Sequence, residues 1–136
     1  MSTSLVEVIR LGPATKIRLT TLKRRTGIEN WNVLCRWAFC LSMTDPAPAG
    51  DRHLDPGSAI EMSWKTFAGE HEALYESLVR YRAEVQGELT GDMQLGDLLR
   101  AHISRGISRL TAMKSNDSLS DMLLLCRGGA GLDDAQ

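Results

Sequence analysis

Six basic side chains, Lys16, Arg18, Lys23, Arg24, Arg25 and Arg36, fall within about twenty residues of one another, and only Glu29 stands against them. Long cationic side chains on a helix neutralise phosphates. The affinity they give falls steeply with salt and carries little sequence information. Lys16, Thr20 and Lys23 share a face if this segment is helical, because seven residues make about two turns. Arg24 and Arg25 stand at the end of that expected helix, where the backbone dipole favours cations whatever their function. These six are the candidate DNA-binding residues.

The charge distribution agrees. The chain has a net charge of −1, yet residues 1–44 carry +5 and residues 45–136 carry −6. A basic front joined to an acidic remainder points to a localised polyanion-binding face, with other surface left for protein contacts.

Other chemistry is poorly supplied. The sequence has no phosphate-binding glycine loop, no dinucleotide fingerprint, no nucleophile elbow and no C-x-x-C pair. His53 stands in a proline-rich stretch and reads as a surface residue. His71, between Glu70 and Glu72, reads as a solvated helix position. His102, three residues before Arg105, reads as a satisfied, partly buried histidine rather than a phosphate ligand. Glu72 and Glu76 are like charges at i, i+4, a solvated face rather than an acid/base pair. Cys35, Cys40 and Cys126 are an odd number and suit a reducing compartment; with the histidines they form no metal-ligand spacing. No catalytic residue, metal or cofactor is expected. No apolar run is long enough to span a membrane, and the start lacks the pattern of a signal peptide, so a cytoplasmic protein is expected.

The elements that must position the basic set follow from hydrophobic spacing. Leu5 to Leu11 reads as a short strand stopped by Gly12-Pro13. Pro13 opens a helix through Ala14, Ile17, Leu22 and the 23–25 basic cluster, closed by Gly27 in a left-handed cap. A second helix carries the stripe Val33, Leu34, Trp37, Ala38, Leu41. Residues 44–58, with three prolines, read as an exposed loop. Ile60, Met62 and Trp64 alternate as a short extended piece would. A third helix is expected from Lys65 or Thr66 to about Gln86, with Phe67, Leu74, Leu78, Tyr81 and Val85 inward. A fourth is expected over about 94–114, and a last short one over Ser118 to Cys126.

These elements predict a mainly α fold: a ribbon-helix-helix-like unit over 5–43, with two or three further helices across 65–126. They make one domain, 1–127, followed by a disordered acidic tail, 128–136. A lone strand would leave its N–H and C=O groups open, so the reading expects a partner strand from a second copy. Val6, Val8 and Arg10 on one strand face, and Leu5, Glu7, Ile9 and Leu11 on the other, offer no polar triad for reading bases.

Arg25-Thr-Gly27, the run Asn32-Val-Leu-Cys-Arg-Trp-Ala-Phe-Cys-Leu-Ser-Met43, Gly69-Glu-His-Glu-Ala-Leu74 and His102-Ile-Ser-Arg-Gly106 together resemble the DndE family of DNA sulfur modification proteins. The family pattern is an R-T-G turn, then approximately N-V-L-C-R-x-A-F-C-x-S-L, and later H-x-N-R-G, with Ser104 here in place of Asn. The resemblance spans residues 10 to about 115. It implies a ribbon-helix-helix-like, tetrameric accessory protein that binds duplex DNA, with a preference for nicked duplex. Its implied partners are a cysteine desulfurase, a sulfurtransferase-like enzyme of the ATP pyrophosphatase kind and an ATPase, which together replace a non-bridging phosphate oxygen by sulfur. Lys16 and Lys23 are the implied counterparts of the family's DNA-binding lysines. Two other readings compete: a ribbon-helix-helix transcription regulator or antitoxin, and a structural adaptor that binds partner enzymes but not DNA.

Overall fold

A computed structural model describes residues 6–50 and 54–113. Within them the chain is mainly helical. Strand β1 (Val8–Leu11) leads into α1 (Pro13–Thr26) and α2 (Trp31–Met43); β2 (Ile60–Ser63) then runs into α3 (Trp64–Ala68), α4 (Glu72–Glu84) and α5 (Leu95–Ala112). His53, the expected helix over Ser118–Cys126, Cys126 and the acidic tail lie outside the described residues.

The N-terminal strand, helix and helix form in the predicted order, the strand starting at Val8, with Val6 and Glu7 before it. Pro13 occupies the first turn of α1, and Asp55 closes that end from a distant loop: its Oδ2 accepts the Thr15 N–H at 2.7 Å. Gly27, at φ 80°, ends the helix and donates its N–H to the Lys23 carbonyl at 3.0 Å. The strand's partner is not the expected one. β1 pairs antiparallel with β2 of the same chain, in register Val8↔Ser63 through Leu11↔Ile60. The ribbon shared between two copies is therefore replaced by an internal sheet. The alternation at 60–64 marks an extended piece, but spacing along the chain says nothing of a pairing across fifty residues.

The expected third helix is also divided. α3 starts at Ser63, whose Oγ accepts the Thr66 N–H at 3.0 Å, and stops at Gly69, whose φ of 61° and ψ of −128° no helix tolerates. α4 restarts at Glu72 with a new phase. Its core face is Tyr75, Val79, Arg82 and Ala83, whereas Leu74, Tyr81 and Val85 point to solvent. A stripe counted through the break from Phe67 lands on the wrong side after it.

α2 and α5 form the centre, with α1, α3 and α4 around them and the sheet closing one end. The buried face of α2 is Leu34, Cys35, Ala38, Phe39 and Ser42, one position on from the expected stripe; Val33, Trp37 and Leu41 are half-buried at its margin. Gly106 of α5 permits the crossing. A Cβ there would lie 1.9 Å from the Ala38 carbonyl oxygen, so the two backbones touch where no side chain fits. Phe39 carries the core outward through edge-on contacts with Phe67 and Tyr75, at centroid distances of 5.9 and 5.5 Å.

Candidate nucleic-acid interface

α1 packs inward through Thr15, Leu19, Leu22 and Thr26 only. The opposite side is left to Lys16, Ile17, Arg18, Thr20, Lys23 and Arg24, all exposed. Thr20 turns its hydroxyl back to the Lys16 carbonyl at 2.9 Å, so the lysines flank a side chain that does not compete with them. Thr20, Lys23, Arg24, Gly27 and Glu29 line an open groove of about 620 Å³ at the C-terminal end of the helix. The Lys23 ammonium stands 5.9 Å from the centroid of the Trp31 ring. Among the described residues, Lys16, Arg18, Lys23 and Arg24 form no salt bridge, so their charge faces solvent.

The other two candidates are placed differently. Arg25 is half-buried and donates to the carbonyls of Thr111 and Met113, tying α1 to the end of α5. Arg36, on α2, donates to the carbonyls of Thr66 and Phe67 at the end of α3. Four of the six basic residues thus share the outer side of α1, while two spend donors on the fold.

Sequence reasoning missed a second charged group, and it lies in the interior. Arg82 donates through Nε to Glu88 Oε2 at 2.6 Å, and His102 Nε2 meets Glu88 Oε1 at 2.9 Å. His102 Nδ1 faces Ser42 Oγ at 2.8 Å, and Arg105 Nε donates to the same hydroxyl at 2.8 Å. With that donor fixed, the Ser42 hydroxyl gives its proton to Nδ1 and His102 keeps its own on Nε2, toward the carboxylate. The remaining guanidinium donors reach main-chain oxygens of the last turn of α2 and the residues just after it. Arg82 takes those of Met43, Asp45 and Ala47; Arg105 takes those of Ser42 and Ala47. Asp45 pairs with Arg109 and lies 3.8 Å from Arg105. α2 has no basic residue in its last turn. Its free carbonyls are satisfied instead by arginines from α4 and α5. The signal was present as Arg82 and Arg105 on otherwise packed helices and Glu88 in the loop between them, but a charge every few residues also describes a solvated face.

Ser42, His102 and Glu88 have the composition of a hydrolytic triad. All three are buried, at 0%, 0% and 2% exposure, and the Ser42 oxygen is already engaged by Arg105. A nucleophile needs access to a substrate carbonyl and a free lone pair. The buried Ser42 oxygen has no such access, and with Arg82 and Arg105 the group ties three helices and a loop together. Burial pushes the Cys35 thiol up to about 12 and raises that of Cys40, so neither is a thiolate at neutral pH. Among the described residues no group of three or more His, Cys, Asp or Glu is placed to hold a metal. No helix there is long and apolar enough to cross a membrane.

The interior network makes the fold sensitive to acid. Burial outweighs the Glu88 carboxylate and holds His102 down to about 4, from an ordinary value of 6.5. Between those pH values the unfolded chain binds a proton that the folded chain refuses, so stability rises with pH across the window and is constant above it. The expected loss from pH 7 to pH 4 is about 3 kcal/mol. The hydrogen bond from Ala47 holds Asp45 below its usual value, which adds a further loss as pH falls past 3.8. Urea unfolding at pH 7.0, 5.5 and 4.5 measures the slope. Equal midpoints at all three would show that His102 is not held neutral.

A family model described as DNA sulphur modification protein DndE matches residues 8–118. No curated protein matches the chain.

Proposed function

The chain belongs to the DndE family of DNA sulphur modification proteins, and from that premise we propose that it is the DNA-binding accessory subunit of a cytoplasmic sulfur modification system, without catalysis of its own. The observation that carries this reading is the outer side of α1: Lys16, Arg18, Lys23 and Arg24 exposed and without salt bridges among the described residues. Such a face suits phosphate contact along a duplex backbone. Arg25 and Arg36 add positive potential, but their donors are turned inward. The duplex is bound without base readout, with nicked DNA preferred, by a homo-oligomer of the tetrameric kind. The sulfurtransferase-like ATP pyrophosphatase and the ATPase are the protein partners, met by the acidic remainder of the chain.

The test is a salt titration of binding to intact, nicked and single-stranded DNA of unrelated sequences. Lys16→Glu combined with Lys23→Glu should weaken binding by a few kcal/mol. Losing two phosphate contacts should also reduce the slope of log affinity against log salt by about 2. A folded double variant that binds as the parent does would remove this face as the site. No binding by the parent to any DNA would favour the adaptor reading, which the excess of acid after residue 44 supports. A single preferred duplex sequence would favour a transcription regulator.

A further inference from the structure

The described residues expose five large apolar side chains, and three of them lie along α4 and its C-cap: Leu74 at 55%, Tyr81 at 50% and Val85 at 67%. Leu78, half-buried, fills the gap between them, and Leu89 at 37% follows the helix end. Positions 74, 78, 81 and 85 advance by four, three and four residues, the spacing of a seam between two paired helices. The core face of the same helix is made by other residues, Tyr75, Val79, Arg82 and Ala83. α4 is thus apolar on two faces, and the fold uses one.

We propose that this stripe joins two copies of the chain, packed antiparallel about a two-fold axis between Leu78 and Tyr81. The inference rests on the homo-oligomer reading above and locates its contact. The spacing is self-matching under that symmetry. Leu74 falls opposite Val85 of the second copy and Leu78 opposite Tyr81, so a larger side chain meets a smaller one at each level and every contact occurs twice. Antiparallel packing also opposes the two helix dipoles. The stripe and Leu89 present roughly 400 Å² of apolar surface per copy, the size of a monomer's largest patch, which is often functional. It supplies the apolar centre of an interface whose usual extent is about 800 Å² per partner. Ser77, Glu84 and Gln86, all exposed, border it as a polar rim.

Sedimentation equilibrium of the full chain over a range of micromolar concentrations tests this, with variants at exposed positions that leave the core alone. The parent should sediment as a dimer or an even multiple of the chain. Leu74→Glu should raise the dissociation constant on the order of a hundred-fold with an unchanged circular dichroism spectrum. Adding Val85→Lys places opposite charges across the axis and should recover on the order of ten-fold. An oligomer whose mass ignores Leu74→Glu would overturn this contact and leave the homo-oligomer reading standing. A parent that is monomeric throughout would overturn both, leaving the stripe to a partner protein or to residues 114–136. Loss of association in Leu74→Glu without recovery in the double variant would overturn the antiparallel pairing.

Discussion

Gly106→Ala should destabilise the protein by about 3 kcal/mol or more, a large effect for one methyl group. In an exposed helix interior the same change stabilises by up to about 1 kcal/mol, because alanine has the better helix propensity. Here the added carbon would stand 1.9 Å from the Ala38 oxygen, 2.4 Å from its carbonyl carbon and 2.7 Å from its Cα. All three are backbone atoms of a packed helix, so no side chain can rotate away; α2 and α5 must part along the crossing. Steric cost outweighs propensity. Gly96, near the start of α5, is the internal control. A Cβ there meets Val6 side-chain atoms at 3.5 Å, an ordinary contact, and Gly96→Ala should be neutral or slightly stabilising. Urea unfolding of the two variants beside the parent decides it. Equal stability of Gly106→Ala and Gly96→Ala would mean that the helices do not cross at Gly106.

Glu88→Ala should cost a similar amount, about 3–5 kcal/mol, for an electrostatic reason. The Arg82 and Glu88 side chains are 5% and 1% exposed, and Glu88 also accepts from His102. Removing the carboxylate leaves a buried guanidinium without a counter-charge and the His102 N–H without an acceptor. The three carbonyls that Arg82 also serves reduce the cost but supply no charge. Glu84 offers the comparison. It meets Arg80 at 3.9 Å with 68% of its side chain exposed, and Glu84→Ala should change stability by well under about 1 kcal/mol. A double-mutant cycle on Glu88 and Arg82 should show coupling of at least about 1 kcal/mol. Additive losses would mean that the pair is not joined in the folded protein.

The two positions explain what the recognisable stretches of this sequence are for. The run 32–42 is α2, and His102–Gly106 is the middle of α5. The two meet where Ser42 bonds His102 and Arg105, and where Gly106 lies on Ala38. Gly69 lies against Arg36, since a Cβ there would be 3.3 Å from its guanidinium. Several residues that carry the family resemblance, Ala38, Ser42, His102, Arg105 and Gly106 among them, stand where α2 and α5 pack. The basic face of α1 lies largely outside them; the phosphate contact proposed for it needs charge and reach rather than a fixed neighbour.

The sequence by itself determined what depends on neighbours in the chain. α1 runs from Pro13 to a glycine cap, α5 spans 95–112 within the expected 94–114, and Leu19 and Leu22, with Thr15 and Thr26, fix the inward side of α1 and leave its basic positions exposed. Spacing and capping are local, and they are legible as written. What joins distant segments was settled only by tertiary structure. β1 took its partner from residues 60–63, Gly69 reset the phase of α4 so that its apparent core stripe faces outward, and Arg82, Glu88 and Arg105 became interior residues. A charged side chain looks the same in sequence whether water or a buried carboxylate receives it. For His102 and Arg105 the difference lies in Ser42, 60 and 63 residues away, and only the folded chain brings it to 2.8 Å.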